Sequence, residues 1–117
     1  MLDFNRDKFF DAIYDFLLES MTDEKARNQT NVMVDQIFEI TRNIQYLIDL
    51  HKDSKKQDKK LPISLSKKFH TLKNLLLYGD FYYESDLCED IEIELRKSKN
   101  INNIVSIFDE LVDSLKM

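Results

Sequence analysis

The chain has 117 residues, 43% of them hydrophobic and 33% charged, a balance too apolar for a disordered polymer, too polar for a membrane protein and sufficient for a single domain, 1–117, around one core. One glycine and one proline cannot supply the turns of an all-β protein, and one cysteine with two histidines makes neither an internal disulfide nor a typical zinc cage. An N-terminus without the regions of an export signal, and a longest apolar run of only Leu75 to Tyr78, lead us to expect a cytoplasmic protein with no membrane span, no metal and no cofactor.

Hydrophobic periodicity predicts an all-α bundle of four to five helices with one long central helix. In the first, from about Arg6 to Ser20, Phe9, Phe10, Ile13, Phe16, Leu17 and Leu18 recur at three and four, with Asn5 as N-cap. Thr22-Asp23-Glu24 restarts a helix, because the hydroxyl caps free amides and the carboxylates face the positive end of the dipole. The stripe Ala26, Thr30, Met33, Ile37, Ile40, Ile44, Leu47 and His51 then predicts a helix of roughly 20 to 30 residues, ~30 to 45 Å long, with a weak point at Asn28 to Asn31.

Lys52 to Lys60 is lysine-rich and aperiodic, and reads as the main loop, closed by Leu61-Pro62. Ser64 or Ser66 is placed to cap a third helix bearing Leu65, Phe69, Leu72, Leu75 and Leu76, with Gly79 as its C′ residue. Between Asp80 and Lys97, Leu87, Cys88, Ile91 and Leu95 fit a helix, whereas Ile91, Ile93 and Leu95 alternate as in a strand. A lone strand would lack a partner, so a helix is predicted. After a hinge at Asn100 to Asn103, Ile104, Ile107, Phe108, Leu111, Val112 and Leu115 form the last amphipathic helix.

No acid, base and nucleophile converge in the sequence, so we expect a protein that is not an enzyme, with no catalytic residues. His51 and His70 lie on different helices, His51 reading as a cap or partly buried core residue, and Cys88 reads as a small core hydrophobe. Asp3, Asp7, Asp11, Asp15 and Glu19 follow one another every four residues and form an acidic ridge that opposes its own helix by like-charge repulsion. Glu84, Asp86, Glu89, Asp90, Glu92 and Glu94 are a second acidic concentration, and Asp109, Glu110 and Asp113 a third. Lys52, Lys55, Lys56, Lys59, Lys60, Lys67, Lys68 and Lys73 gather in one stretch, so the chain is polarised beyond its net charge of −5.

Two readings of that charge stand side by side: solvated helix faces with the lysine segment folded over the ridge, or an acidic surface for a cationic protein. On the second, Asp7, Asp11, Asp15, Glu19, Glu84, Asp86, Glu89 and Asp90 supply charge, and Tyr82 and Tyr83, beside Phe81, supply an apolar anchor. The alternative for these aromatics is a loop packed over the bundle end. An isoelectric point near 5.0 and the lack of a basic recognition helix weigh against nucleic acid as the partner.

In general character, helical, compact and acidic, the chain is similar to the small immunity proteins and antitoxins of bacterial competition systems. The similarity implies a cationic toxin domain as partner, one acting on RNA or DNA, whose basic cleft a rigid acidic surface occludes. A monomer is expected in preference to a homo-oligomer. The second hypothesis is a helical adaptor or regulatory subunit, in which another protein or a second copy completes the apolar face of the long helix.

Overall fold

Asn5 starts the first helix, α1 (Arg6–Leu17), its side-chain oxygen accepting from the Lys8 amide at 3.3 Å. Here, as throughout, the computed structural model describes residues 4–53, 59–98 and 100–117. After a tight turn at Leu18 to Ser20, Thr22 Oγ1 accepts from the Lys25 amide at 3.4 Å, and α2 (Asp23–Asp53) runs for 31 residues. Asn28 and Asn31, poor helix formers, do not break it: Ala26, Thr30, Met33 and Val34 are buried around them, and packing outweighs local propensity. At 1.5 Å per residue α2 is about 46 Å long, which sets the longest dimension of the 50 × 27 × 22 Å molecule.

The third helix, α3 (Leu61–Leu77), corrects two expectations about its punctuation. Neither Ser64 nor Ser66 caps it: both lie inside the helix, which begins at Leu61 with Pro62 in its first turn and Lys60 at the N-cap position. The proline fits because its missing N–H is one of the amides a first turn leaves unpaired, and burial of Leu61 and Pro62 draws the turn into the core. At the other end the left-handed residue is Asp80, at φ 59°, and not Gly79. The Asp80 amide reaches the Leu77 carbonyl at 3.2 Å and the Phe81 amide reaches that of Leu76 at 3.1 Å, the bond pair of a Schellman motif. Gly79 is needed for space instead, since a Cβ there would overlap the Phe81 ring.

Residues 82–98 form one helix, α4 (Tyr82–Ser98), and exposure distinguishes it from a strand: Ile91 and Leu95 are buried while Ile93, between them, is 40% exposed. The Asn100 side chain caps a 3₁₀ turn (Ile101–Ile104), accepting from the Asn102 amide at 3.0 Å, and this leads into α5 (Val105–Lys116). The fold is thus an all-α bundle of five helices, with no strand among the described residues.

Cross-links define how the helices lie. Arg6 reaches Asp35 and Asn31 while Tyr14 bonds Asp23, so α1 runs antiparallel along the N-terminal half of α2. The α2 and α3 helices pack together, α3 pairs most extensively with α4, and α4 pairs with α5 through Tyr83–Glu110 and Glu84–Ser114. Buried side chains from all five helices form one cluster. At its α1 end Phe9 meets Phe38 edge to face at 5.7 Å and Phe81 at 4.6 Å, and deeper in the bundle Phe69 meets Phe108 at 5.9 Å.

Candidate protein-binding surface

Along α1 the buried residues Phe9, Ile13 and Leu17 define the inner face, and a helix of 3.6 residues per turn then directs Asp7, Asp11 and Asp15 outward. All three are exposed, as is Glu19 in the turn that follows. Among the described residues no side chain pairs with any of these four carboxylates; Asp3 lies outside the described residues. The cations of α1 point elsewhere: Arg6 holds Asp35 at 2.7 Å, and Lys8 leans over the rings of Phe9 and Phe81 toward Glu84, 3.9 Å away. The ridge is a run of one sign on a rigid, internally packed helix.

The second predicted concentration divides. Glu84 is buried at 6% exposure, so its expected place on an open acidic surface is corrected. Its Oε1 accepts from the Ser114 hydroxyl at 2.7 Å and faces Lys8, and these partners on α5 and α1 make burial of the carboxylate tolerable. Asp86, Glu89 and Asp90 are exposed, and Asp86 and Asp90 continue the stripe that starts at Tyr83, whose hydroxyl donates to Glu110 of α5. By accepting its hydrogen bond, Glu110 holds the Tyr83 hydroxyl above its usual pKa, and Asp80 does the same for Tyr82 across 3.0 Å.

The three aromatics that open this segment therefore have separate roles. Phe81 packs on Phe9 in the core, whereas Tyr82 and Tyr83 are 61% and 52% exposed, each tied by its hydroxyl to a carboxylate. The contacts Lys8–Glu84, Asn5–Met117 and Tyr83–Glu110 gather the start of α1, the start of α4 and the end of α5 in one region. The cations Lys52, Lys59, Lys67, Lys68, Arg96 and Lys97 belong instead to the end of α2, the start of α3 and the end of α4, where the antiparallel packing of these helices brings those ends together. Whether the lysine segment folds over the ridge concerns 54–58, which lie outside the described residues.

Sequence reasoning missed a buried carboxylate between α3 and α4 that a lysine and a histidine answer. Glu92, 4% exposed, sits 3.2 Å from Lys73 Nζ and 3.1 Å from His70 Nδ1. One signal was present: Glu92 lies one turn from Cys88, on the inward face of α4, where a carboxylate needs cations from a neighbouring helix. Burial, with the Glu92 charge adding to it, pushes the Cys88 thiol far above its ordinary pKa, so it is an inert core group. His51 is half-buried near the end of α2, as expected, and no group of three His, Cys, Asp or Glu is placed to hold a metal among the described residues.

Comparison of the chain with protein-family models, with curated proteins and with solved structures finds no match. The class defined by the coordinates is a five-helix bundle, none of whose helices, among the described residues, is long and apolar enough to cross a membrane.

Proposed function

We infer that this is a cytoplasmic, monomeric binding protein that neutralises a cationic protein, as an immunity protein or antitoxin does by covering the basic active cleft of a nuclease-type toxin. It acts by occlusion, without a cofactor and without chemistry of its own, and nucleic acid is not its partner. The observation that carries this reading is the α1 ridge: Asp7, Asp11, Asp15 and Glu19 are exposed and unanswered by any counter-charge among the described residues. Carboxylates every four residues repel one another, at about 0.2–0.5 kcal/mol for each neighbouring pair, and a surface retained despite that repulsion suits a partner that relieves it. A field of one sign also steers a cationic partner and raises its association rate.

Closure of the core supports a self-contained binder over a subunit that awaits completion. The inward stripe of α2, from Ala26 through Ile37 to Ile48, is buried by its own chain. The adaptor reading keeps one observation, that Tyr46 and Leu50, one turn apart on the outer face of α2, are 64% and 48% exposed. Affinity capture from native cells, followed by co-expression of the retained protein with this chain, tests the proposal. Rescue of growth by this chain supports neutralisation. With Asp7, Asp11 and Asp15 all replaced by asparagine, association should slow and lose much of its salt dependence; unchanged kinetics would count against this face.

A further inference from the structure

The end of α1 and the end of α3 enclose an open groove of about 410 Å³, lined by Phe16, Asn74, Leu77 and Tyr78. Its apolar walls are partly bare: Phe16 is 44% exposed, Leu77 40% and Tyr78 42%. The Phe16 and Tyr78 rings meet edge to face at 5.7 Å, so packing between helices fixes the wall. The side-chain amide of Asn74 has no partner among the described residues and is free to bond a ligand backbone.

Near the lining residues in the chain, Asp15, Glu19 and Asp80 are charges of one sign. On α1, Asp15 precedes Phe16, and Glu19 lies in the turn that follows the helix, both exposed and both without a counter-charge among the described residues. On the α3 side, Asp80 follows Tyr78 by two residues. The cation one turn before Leu77, Lys73, is turned away into α4, where it holds Glu92 at 3.2 Å. An apolar groove thus lies beside Phe16, whose neighbours Asp15 and Glu19 are uncompensated carboxylates among the described residues.

We propose that this groove docks a short basic amphipathic helix of the partner protein, one leucine or phenylalanine seated against the wall that Phe16, Leu77 and Tyr78 form and a lysine or arginine facing Asp15 and Glu19. Charge complementarity selects that occupant. A second copy of this chain would bring its own acidic ridge toward the same carboxylates, whereas a basic helix answers them and fills the groove with its apolar face. The inference rests on reading the ridge as a partner surface. It places the apolar anchor at the α1–α3 corner, where sequence reasoning chose Tyr82 and Tyr83.

The test uses the full chain, isotopically labelled, and two short helical peptides of equal positive charge, one of leucine and lysine at amphipathic spacing, the other with alanine replacing leucine. The leucine peptide should shift the amide resonances of Phe16, Asn74, Leu77 and Tyr78, and the alanine peptide should bind about tenfold more weakly, the loss expected of an anchor. Phe16→Ser and, separately, Leu77→Ser should produce a similar loss, with helicity checked by circular dichroism. Asp15→Asn with Glu19→Gln should weaken binding and flatten its salt dependence. Shifts centred on Tyr83 and Asp86, equal binding of both peptides, or a dimer formed through the groove would overturn the groove and leave the cationic-partner reading standing. Failure of both peptides to bind would count against both.

Discussion

Replacing Glu92 with glutamine tests whether the α3–α4 seam depends on charge or only on shape. The amide preserves volume and one accepting oxygen but leaves Lys73, 19% exposed at its side chain, without a counter-ion 3.2 Å away. Breaking a fully buried pair costs about 3–5 kcal/mol; Lys73 and His70 are both able to turn partly to water, so the cost here falls below that range, at about 2–3 kcal/mol. For a chain of this size that corresponds to a fall in Tm of roughly 10 °C. Replacing both Lys73 and Glu92 with methionine removes the charges together and should recover most of the loss, because packed apolar side chains substitute well for a buried ion pair. Urea denaturation followed by circular dichroism measures both variants. A Glu92→Gln loss below about 0.5 kcal/mol, or a double variant as unstable as the single one, would refute the argument that this pair is desolvated.

The remaining expectations concern isolated features. The Thr30 hydroxyl is buried without a hydrogen-bond partner among the described residues, so Thr30→Val should stabilise the fold by about 1 kcal/mol in urea denaturation. Asp80→Gly relieves the left-handed backbone at φ 59° and should gain about 0.5–1 kcal/mol, whereas Gly79→Ala should lose stability as the new methyl displaces the Phe81 ring. Asp11→Asn combined with Asp15→Asn removes the like-charge pairs from Asp7 to Glu19 and should raise stability by about 1 kcal/mol at low salt, a gain that fades as salt screens the ridge. Tyr14, Tyr82 and Tyr83 each donate a hydrogen bond to a carboxylate that raises the folded pKa above 10.0. Their contribution to stability is therefore full below pH 10 and is lost as the pH rises through the folded values. Ultraviolet titration should show these three ionising above the ordinary tyrosine value of 10.0.

The helix faces were readable because one periodicity encodes them. Phe9, Ile13 and Leu17 on α1, and Ala26, Thr30, Met33, Ile37, Ile44 and Ile48 on α2, are buried as their spacing predicts, whereas Ile40 and Leu47 are half-buried and Phe16 and Leu18 exposed; the outward direction of Asp7, Asp11 and Asp15 follows from the same geometry. What depends on a neighbouring helix was not readable. Glu84 and Glu92 look like surface acids in a charged segment, and only Lys8 with Ser114, or Lys73 with His70, all distant in sequence, permit their burial. Helix ends were misplaced where two residues compete for one role: Pro62 displaced the serines as the mark of the α3 start, and Asp80 took the left-handed position because Gly79 makes room for Phe81. The groove was hidden for the same reason, since Phe16 belongs to the apolar pattern of α1 and only the end of α3 leaves it bare.

The most direct test of the ridge as a partner surface is parallel affinity capture from native cells with the unaltered chain and with its Asp7→Asn, Asp11→Asn, Asp15→Asn variant, each washed at low and high salt. One basic protein held near stoichiometrically by the unaltered chain at low salt, released at high salt and missing from the variant is the result the proposal predicts. The same proteins on both baits, or an assembly held regardless of salt, would contradict it.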